Sequence, residues 1–198
     1  MIKNIILDVG GILFDDSKKN IEYVLNKNCD IIYKKAYGTG FKECLLGYRT
    51  VNEHIQNLSN ASEFKDISYI LSKDNLSKTY PLIKQNFEYI KKLKTMSYKL
   101  YLLTNITEDT YNHINKVINI DTIFDGGIYS YQEHVIKPDA TIYNLLIDRY
   151  KLNKEETIFF DDKEKNCISA NNVGIKSIVF NSIDDIKNNL TSISKADN

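Results

Sequence analysis

The chain has no excess of charge of either sign. Lysines plus arginines equal aspartates plus glutamates at 26 each, so no net field draws it to nucleic acid or to an anionic membrane surface. Cysteine is scarce. Cys29, Cys44 and Cys167 are odd in number and lack Cys-x-x-Cys spacing, which argues against a disulfide framework and fits a reduced, cytoplasmic compartment. Long apolar runs are missing as well: the N-terminus meets Lys3 and then Asp8, leaving no stretch fit for a signal peptide or a membrane span. Neither a Gly-x-x-x-x-Gly-Lys loop nor a dinucleotide-binding glycine fingerprint follows a strand, so nucleotide binding has no support. His54, His113 and His134 share no metal-ligand spacing. There are no repeats or low-complexity linkers, and only the tail from about Ser192 reads as frayed.

What is present is a rhythm. Apolar, β-branched or aromatic runs recur at Lys3 to Asp8, Lys99 to Thr104, Gly127 to Ser130, Thr157 to Asp161 and Lys176 to Phe180. Most lack clean alternation, as expected of strands covered on both faces in a parallel sheet. Helical patterns lie between them. Ile83, Phe87, Ile90 and Leu93 follow the 3.6-residue period behind Pro81, a residue suited to a first helical turn. Tyr111, Ile114 and Ile118 follow Thr107, and Ile142, Leu145 and Leu146 follow Asp139, two candidate N-caps. Gly174 closes a short helix over Cys167 and Ala170. Strand and helix in alternation predict a doubly wound α/β fold, and 198 residues allow one core plus an insertion.

The insertion is visible as a break. From Phe14 to about Tyr80 no strand run occurs, only helical patterns such as Ile21, Val24 and Leu25, then Ile31 and Ile32, then Val51, Ile55 and Leu58 behind the capping-box pair Thr50 and Glu53. That is too long for an ordinary crossover. The expected organisation is a core of residues 1–13 and 81–198, with residues 14–80 forming a small helical cap over the carboxyl edge of the sheet.

Ligands in such sheets bind at that edge. Asp8, Thr104 with Asn105, and Asp161 with Asp162 all end strand runs, and Lys137 follows the third run before a helix. Taken singly, each has an ordinary reading: Asp8 and Thr104 as turn or cap residues, Lys137 as a solvated loop lysine, the acidic pair as an N-cap. Together they suit phosphoryl transfer. Asp8 can attack phosphorus and form an aspartyl-phosphate. A carboxylate repels a phosphate dianion unless a cation lies between them, and Asp161 and Asp162 supply the carboxylates that Mg²⁺ needs. Thr104 can donate its hydroxyl to a phosphate oxygen, and Lys137 can neutralise another.

These motifs resemble those of the haloacid dehalogenase-like hydrolase superfamily. Asp8-Val9-Gly10-Gly11 is similar to its first motif, Leu103-Thr104-Asn105 to its second, Lys137-Pro138-Asp139 to its third and Phe160 through Asn166 to its fourth. The resemblance implies a Rossmann-like sheet, a cap inserted after the first strand, and Mg²⁺-dependent hydrolysis of a small phosphorylated metabolite. It is strongest to the subgroup similar to glucose-1-phosphate phosphatase, so a sugar phosphate is the favoured substrate. By the same resemblance Asp8, Thr104 and Lys137 are catalytic. Gly11, Thr104, Asn105 and Lys137 contact substrate, with Arg49 of the cap a further guess. Asp8, Asp161, Asp162 and the backbone carbonyl of Gly10 hold the metal.

Gly10 is the departure. Most phosphatases of the superfamily carry a second aspartate there, which protonates the leaving group and then activates water. Gly10 can do neither, a loss worth about 10² to 10⁴ in rate. Either the leaving group is good, or the cap supplies an acid such as Glu43, Tyr48, Glu53 or His54. The alternatives are a weakened phosphate-binding or regulatory relative, and a 2-haloacid dehalogenase, against which Asp161-Asp162 counts. A receiver-type signalling module uses the same parts in another order.

Overall fold

The computed structural model describes the backbone of residues 1–196 and the side chains of residues 1–190. Strands β1 (Asn4–Leu7), β2 (Lys99–Thr104), β3 (Gly126–Tyr129), β4 (Thr157–Asp161) and β5 (Lys176–Val179) form one parallel sheet in the order β3-β2-β1-β4-β5. The absence of alternation in the strand runs now has a physical cause. Ile5, Leu7, Leu100, Leu102, Ile158 and Phe160 face one apolar layer, with Phe87 and Ile90 of helix Lys84–Thr95 and Ile114 of helix Glu108–Ile118. Ile6, Leu103, Ile128 and Phe159 face the other, with Ile142 and Leu146 of helix Ala140–Tyr150. Each buried Ile, Leu or Phe contributes roughly 1.5–3 kcal/mol. The chain belongs to the doubly wound α/β class.

Strand order also fixes where chemistry can occur. The chain starts in the middle at β1, runs outward through β2 and β3, and crosses back to β4, so the direction reverses between β1 and β4. Leu7 is in register with Phe160, and the Asp8 N–H donates to the Phe160 carbonyl at 3.0 Å. Asp8 and Asp161 therefore leave the sheet side by side.

Helices Lys18–Leu25, Asp30–Ala36, Val51–Asn57 and Phe64–Leu71 make up the helical insertion, or cap, between β1 and β2 and share an apolar cluster of their own, including Ile21, Ile32, Ile55, Ile67 and Ile70. Local chemistry starts them where expected. Thr50 and Glu53 form a complete capping box, Thr107 caps the helix after β2, and Asp139 accepts the Thr141 N–H ahead of helix Ala140–Tyr150. Pro81 corrects the sequence expectation. It lies outside the helix, which starts at Lys84, and its carbonyl accepts the Asp15 N–H at 2.9 Å, while the Ile83 N–H reaches Leu13 O at 2.8 Å. The outgoing and returning linkers of the cap thus pair with each other, and that pairing keeps Pro81 and Leu82 out of the helix. Ser130, expected to end β3, instead begins a short helix, and its hydroxyl donates to Leu45 O of the cap at 2.6 Å. The fraying expected from about Ser192 falls on residues whose side chains lie outside those described; the helix backbone runs to Ala196.

Gly47 of the cap packs against the backbone of Tyr131. Its φ is +72°, and a Cβ there would come 2.1 Å from the Tyr131 carbonyl oxygen. Gly47→Ala is expected to cost about 1–3 kcal/mol through the left-handed conformation. A matching drop in the urea midpoint checks this, and an unchanged midpoint contradicts it.

Candidate active site

The residues singled out by sequence meet at the carboxyl end of β1, β2 and β4. Asp8 follows β1 and is buried, and the Val9 N–H donates to its Oδ1 at 2.7 Å. Lys137 is only 2% exposed, with its Nζ 2.9 Å from Asp8 Oδ2 and 2.6 Å from Asp161 Oδ2. A buried lysine is tolerated because two carboxylates flank it. Burial lifts the Asp8 carboxyl from 3.8 to about 7; Lys137 works against that rise and Asp161 adds to it. Burial would lower the Lys137 ammonium, but Asp8 and Asp161 hold it above its ordinary value. Thr104 is buried at the end of β2 and lines the same cleft.

The two acidic residues after β4 have different surroundings. Asp161 accepts from the Lys163 N–H at 2.8 Å and the Asn166 amide at 2.9 Å, besides Lys137. Asp162 is partly exposed and pairs with the Lys163 ammonium at 2.5 Å. Gly11, expected on the substrate, is packed against Asp162. Its φ is +71°, and a Cβ would stand 2.8 Å from the Asp162 carboxyl, so only glycine leaves that carboxylate in place.

Oxygens of Asp8, Asp161 and Asp162 can lie within 4.8 Å of one another. Among the described residues, Lys137 and Lys163 are the ammonium groups that pair with these three carboxylates, so with all three ionised the cluster carries an excess of negative charge in a largely buried place. Hard oxygen donors with uncompensated charge fit a small dication such as Mg²⁺.

Other expectations need correction. Asn105 does line the cleft, but its amide is bonded in both directions to the Lys137 backbone, Nδ2 to O at 2.9 Å and Oδ1 from N–H at 2.8 Å. Its side chain thereby positions the lysine. Arg49 lies outside the cleft. The Tyr48 and Arg49 N–H groups both donate to Glu43 O, which turns the chain back so that the guanidinium pairs with the Glu43 carboxylate at 2.5 Å. The cap acids weighed from sequence are likewise engaged elsewhere. Glu53 closes the capping box, His54 is buried with Nε2 2.9 Å from Ala36 O, and Tyr48 is exposed and stacked on His134.

Three residues were missed. Asn166 orients Asp161, and its own Oδ1 is buried without a partner among the described residues. Tyr80 stacks on Phe14 at 5.3 Å and reaches the cleft, where burial, with Asp16 and Asp8 nearby, raises its phenol well above the ordinary value. Asp16 lines the cleft too, and burial raises its carboxyl. Nothing in the sequence separated Asp16 from its neighbour Asp15. The cleft encloses about 320 Å³, and its cap side is aromatic and aliphatic, with Tyr33, Tyr37, Phe41, Leu45, Ile70 and Leu71.

Comparison with known proteins agrees with this architecture. The chain is 23% identical over 98% of its length to a drimenol cyclase of Aspergillus calidoustus, and spans 37% of that protein. It is 31% identical over 86 residues to a sesquiterpene phosphatase of Aspergillus oryzae, which is 43% of this chain and 44% of that protein. A phosphorylated carbohydrates phosphatase of Thermotoga maritima is 24% identical over 92% of this chain and 88% of its own. Among solved structures, the magnesium complex of a haloacid dehalogenase family enzyme from Bacteroides thetaiotaomicron superposes with a TM-score of 0.73 at 20% identity, covering 90% of this chain and 93% of that one. An L-2-haloacid dehalogenase from Xanthobacter autotrophicus follows at 0.61 and 17%, covering 89% and 76%. These two likenesses are of fold. No helix among the described residues is long and apolar enough to cross a membrane. The family model for haloacid dehalogenase-like hydrolases matches residues 5–180, and the chain belongs to that family.

Proposed function

We propose that the chain is a Mg²⁺-dependent phosphatase that hydrolyses a small phosphate monoester through an aspartyl-phosphate on Asp8. The observation that carries this reading is the buried Lys137 ammonium, held 2.9 Å from Asp8 and 2.6 Å from Asp161 at the sheet's switch point. Asp8 attacks phosphorus and the alcohol leaves; water then attacks the acyl phosphate, releasing phosphate and regenerating the carboxylate. Lys137 is fixed before substrate arrives, so its charge meets the equatorial oxygens without reorganisation. Thr104 lines the same cleft and can donate to another oxygen. Asp8, Asp161, Asp162 and the Gly10 carbonyl would hold Mg²⁺, which supplies the charge neutralisation that lets an anionic nucleophile approach a phosphate dianion.

The substrate's other end is read from the cap. Tyr37, Phe41, Ile70 and Leu71 offer apolar surface to whatever lies beyond the phosphate. That lining favours a carbon-rich body, and the likeness to a sesquiterpene phosphatase supports the same class. The sugar phosphate expected from sequence is the second reading, and the likeness to a carbohydrate phosphatase supports it. Phosphate release from farnesyl monophosphate and from hexose phosphates separates them. The apolar reading expects kcat/KM at least about tenfold higher for the prenyl ester, the scale of a few buried methylenes. The reverse order favours the sugar. Chloride release from a 2-haloacid, unaffected by chelator, would instead support dehalogenation. The acidic pair Asp161-Asp162 weighs against that outcome.

A further inference from the structure

We propose that Asp16 performs the proton transfers for which Gly10 has no side chain. This rests on the phosphatase reading above. A Cβ built on Gly10 would lie 2.6 Å from Asp16 Oδ2 and 3.1 Å from Asp16 Cγ. The carboxyl of Asp16 thus lies in contact with the place where a side chain at position 10 would begin. The fold delivers the group from six residues downstream.

Local structure explains how. After β1 the chain closes a tight loop, with the Leu13 and Phe14 N–H groups donating to Val9 O and the Gly11 N–H to Phe14 O. That loop brings residue 16 back beside residue 10. Asp15 and Asp16 then take different tasks. Asp15 Oδ1 accepts the Ser17 N–H at 2.9 Å, ahead of helix Lys18–Leu25. Asp16 faces the cleft shared by Asp8, Thr104, Lys137 and Asp162. The absence of a side chain at Gly10 is what leaves room for it.

The chemistry balances. As Asp8 attacks and the bond from phosphorus to the leaving oxygen breaks, the Asp16 carboxyl gives its proton to that oxygen and the alcohol departs. Water then attacks the aspartyl-phosphate and gives its proton to the Asp16 carboxylate. The bond from phosphorus to Asp8 breaks, inorganic phosphate leaves, and both carboxyls return to their starting forms. A purely structural role has a definite alternative form: Asp16 as counter-charge to Lys163, or as a further metal ligand.

The test uses the full chain with Mg²⁺ and two substrates of different leaving group, p-nitrophenyl phosphate and an alkyl phosphate. Asp16→Asn is expected to slow alkyl phosphate hydrolysis by about 10² to 10⁴. The p-nitrophenyl ester, whose leaving group needs little protonation, should show a much smaller loss in the first half-reaction, read as the burst. Mg²⁺ affinity measured by calorimetry should change little. The second variant pair is sharper. Gly10→Asp alone forces its side chain against Asp16 and should lower activity, whereas Gly10→Asp combined with Asp16→Ala should recover alkyl phosphate turnover lost in Asp16→Ala. Equal losses on both substrates in the first half-reaction, a Mg²⁺ affinity that collapses in Asp16→Asn, or failure of the combined variant to recover activity while it remains folded would overturn the assignment. If Asp8→Asn abolishes turnover while Asp16→Asn does not alter it, the phosphatase reading stands and this inference falls. If the unaltered protein forms no phosphoenzyme, both fall together.

Discussion

Asp8→Asn is expected to lower phosphate release by about 10⁴-fold or more, the scale seen when an enzyme loses its nucleophile. The amide has the shape of the carboxyl, so Oδ1 can still accept the Val9 N–H that holds the side chain at the end of β1. What is lost is the anionic oxygen beside Lys137. Stability should hold or fall slightly: one carboxylate leaves a crowded acidic cluster, but the amide NH2 then takes the place of Oδ2, 2.9 Å from the Lys137 ammonium, where two donors face each other. Phosphate release and thermal unfolding, measured on the same preparation, check both halves. Activity within tenfold of the unaltered protein would assign the nucleophile elsewhere.

The second large effect falls on stability as well as rate. Lys137→Met keeps length and apolar bulk but removes the ammonium shared by two buried carboxylates, and it also ends the contact over the Phe159 ring at 5.5 Å. Stripping one partner from a buried ion pair typically costs 3–5 kcal/mol, because the remaining charge has nowhere to go. A loss of about that size in the metal-free protein is expected from urea unfolding. Turnover should fall by roughly 10²–10³, as for other fixed donors facing transition-state charge. Lys137→Arg should not restore it, since the site is nearly closed to solvent and a guanidinium is larger than the space an ammonium occupies. A stability loss under about 1 kcal/mol would mean that Asp8 and Asp161 are compensated by something other than Lys137.

How much of this was legible beforehand depended on the range of the interaction. Strands β1 to β4 could be read because both of their faces are largely buried, which leaves near-continuous apolar runs in sequence; β5 is only partly buried and was read from its Ile178, Val179 and Phe180. The capping residues Thr50, Thr107 and Asp139 could be read because a cap is made within three or four residues. Pro81 was misread since its conformation is set by pairing with Asp15, a contact across the whole cap. Arg49 was misplaced for a similar reason: a turn that bonds back to Glu43 decides which way the guanidinium points. Asp8 and the acidic pair were legible as strand-end residues, and Lys137 as the lysine that follows the third run ahead of a helix. That Lys137 lies between Asp8 and Asp161 follows from strand order and register, and neither is written in any single segment. Asp16 is the extreme case. It carries no motif, and only the three-dimensional return of the loop after β1 brings it against Gly10.

That contact also changes the meaning of the glycine. From sequence, Gly10 pointed to a good leaving group or a distant acid in the cap, with a protein that had lost its activity as the alternative. Glu43, Glu53 and His54 are engaged elsewhere in the cap, and Tyr48 lies exposed against His134, while a carboxyl lies in contact with the place where the missing side chain would start.

The most direct measurement traps the intermediate. The protein is mixed with Mg²⁺ and acetyl phosphate, quenched in acid, digested and analysed by mass spectrometry. The account predicts one phosphoryl group on the peptide containing Asp8, absent in Asp8→Asn and absent when a chelator is present from the start. A phosphoryl group on another residue, or full phosphate release with no phosphoenzyme at Asp8, would contradict it.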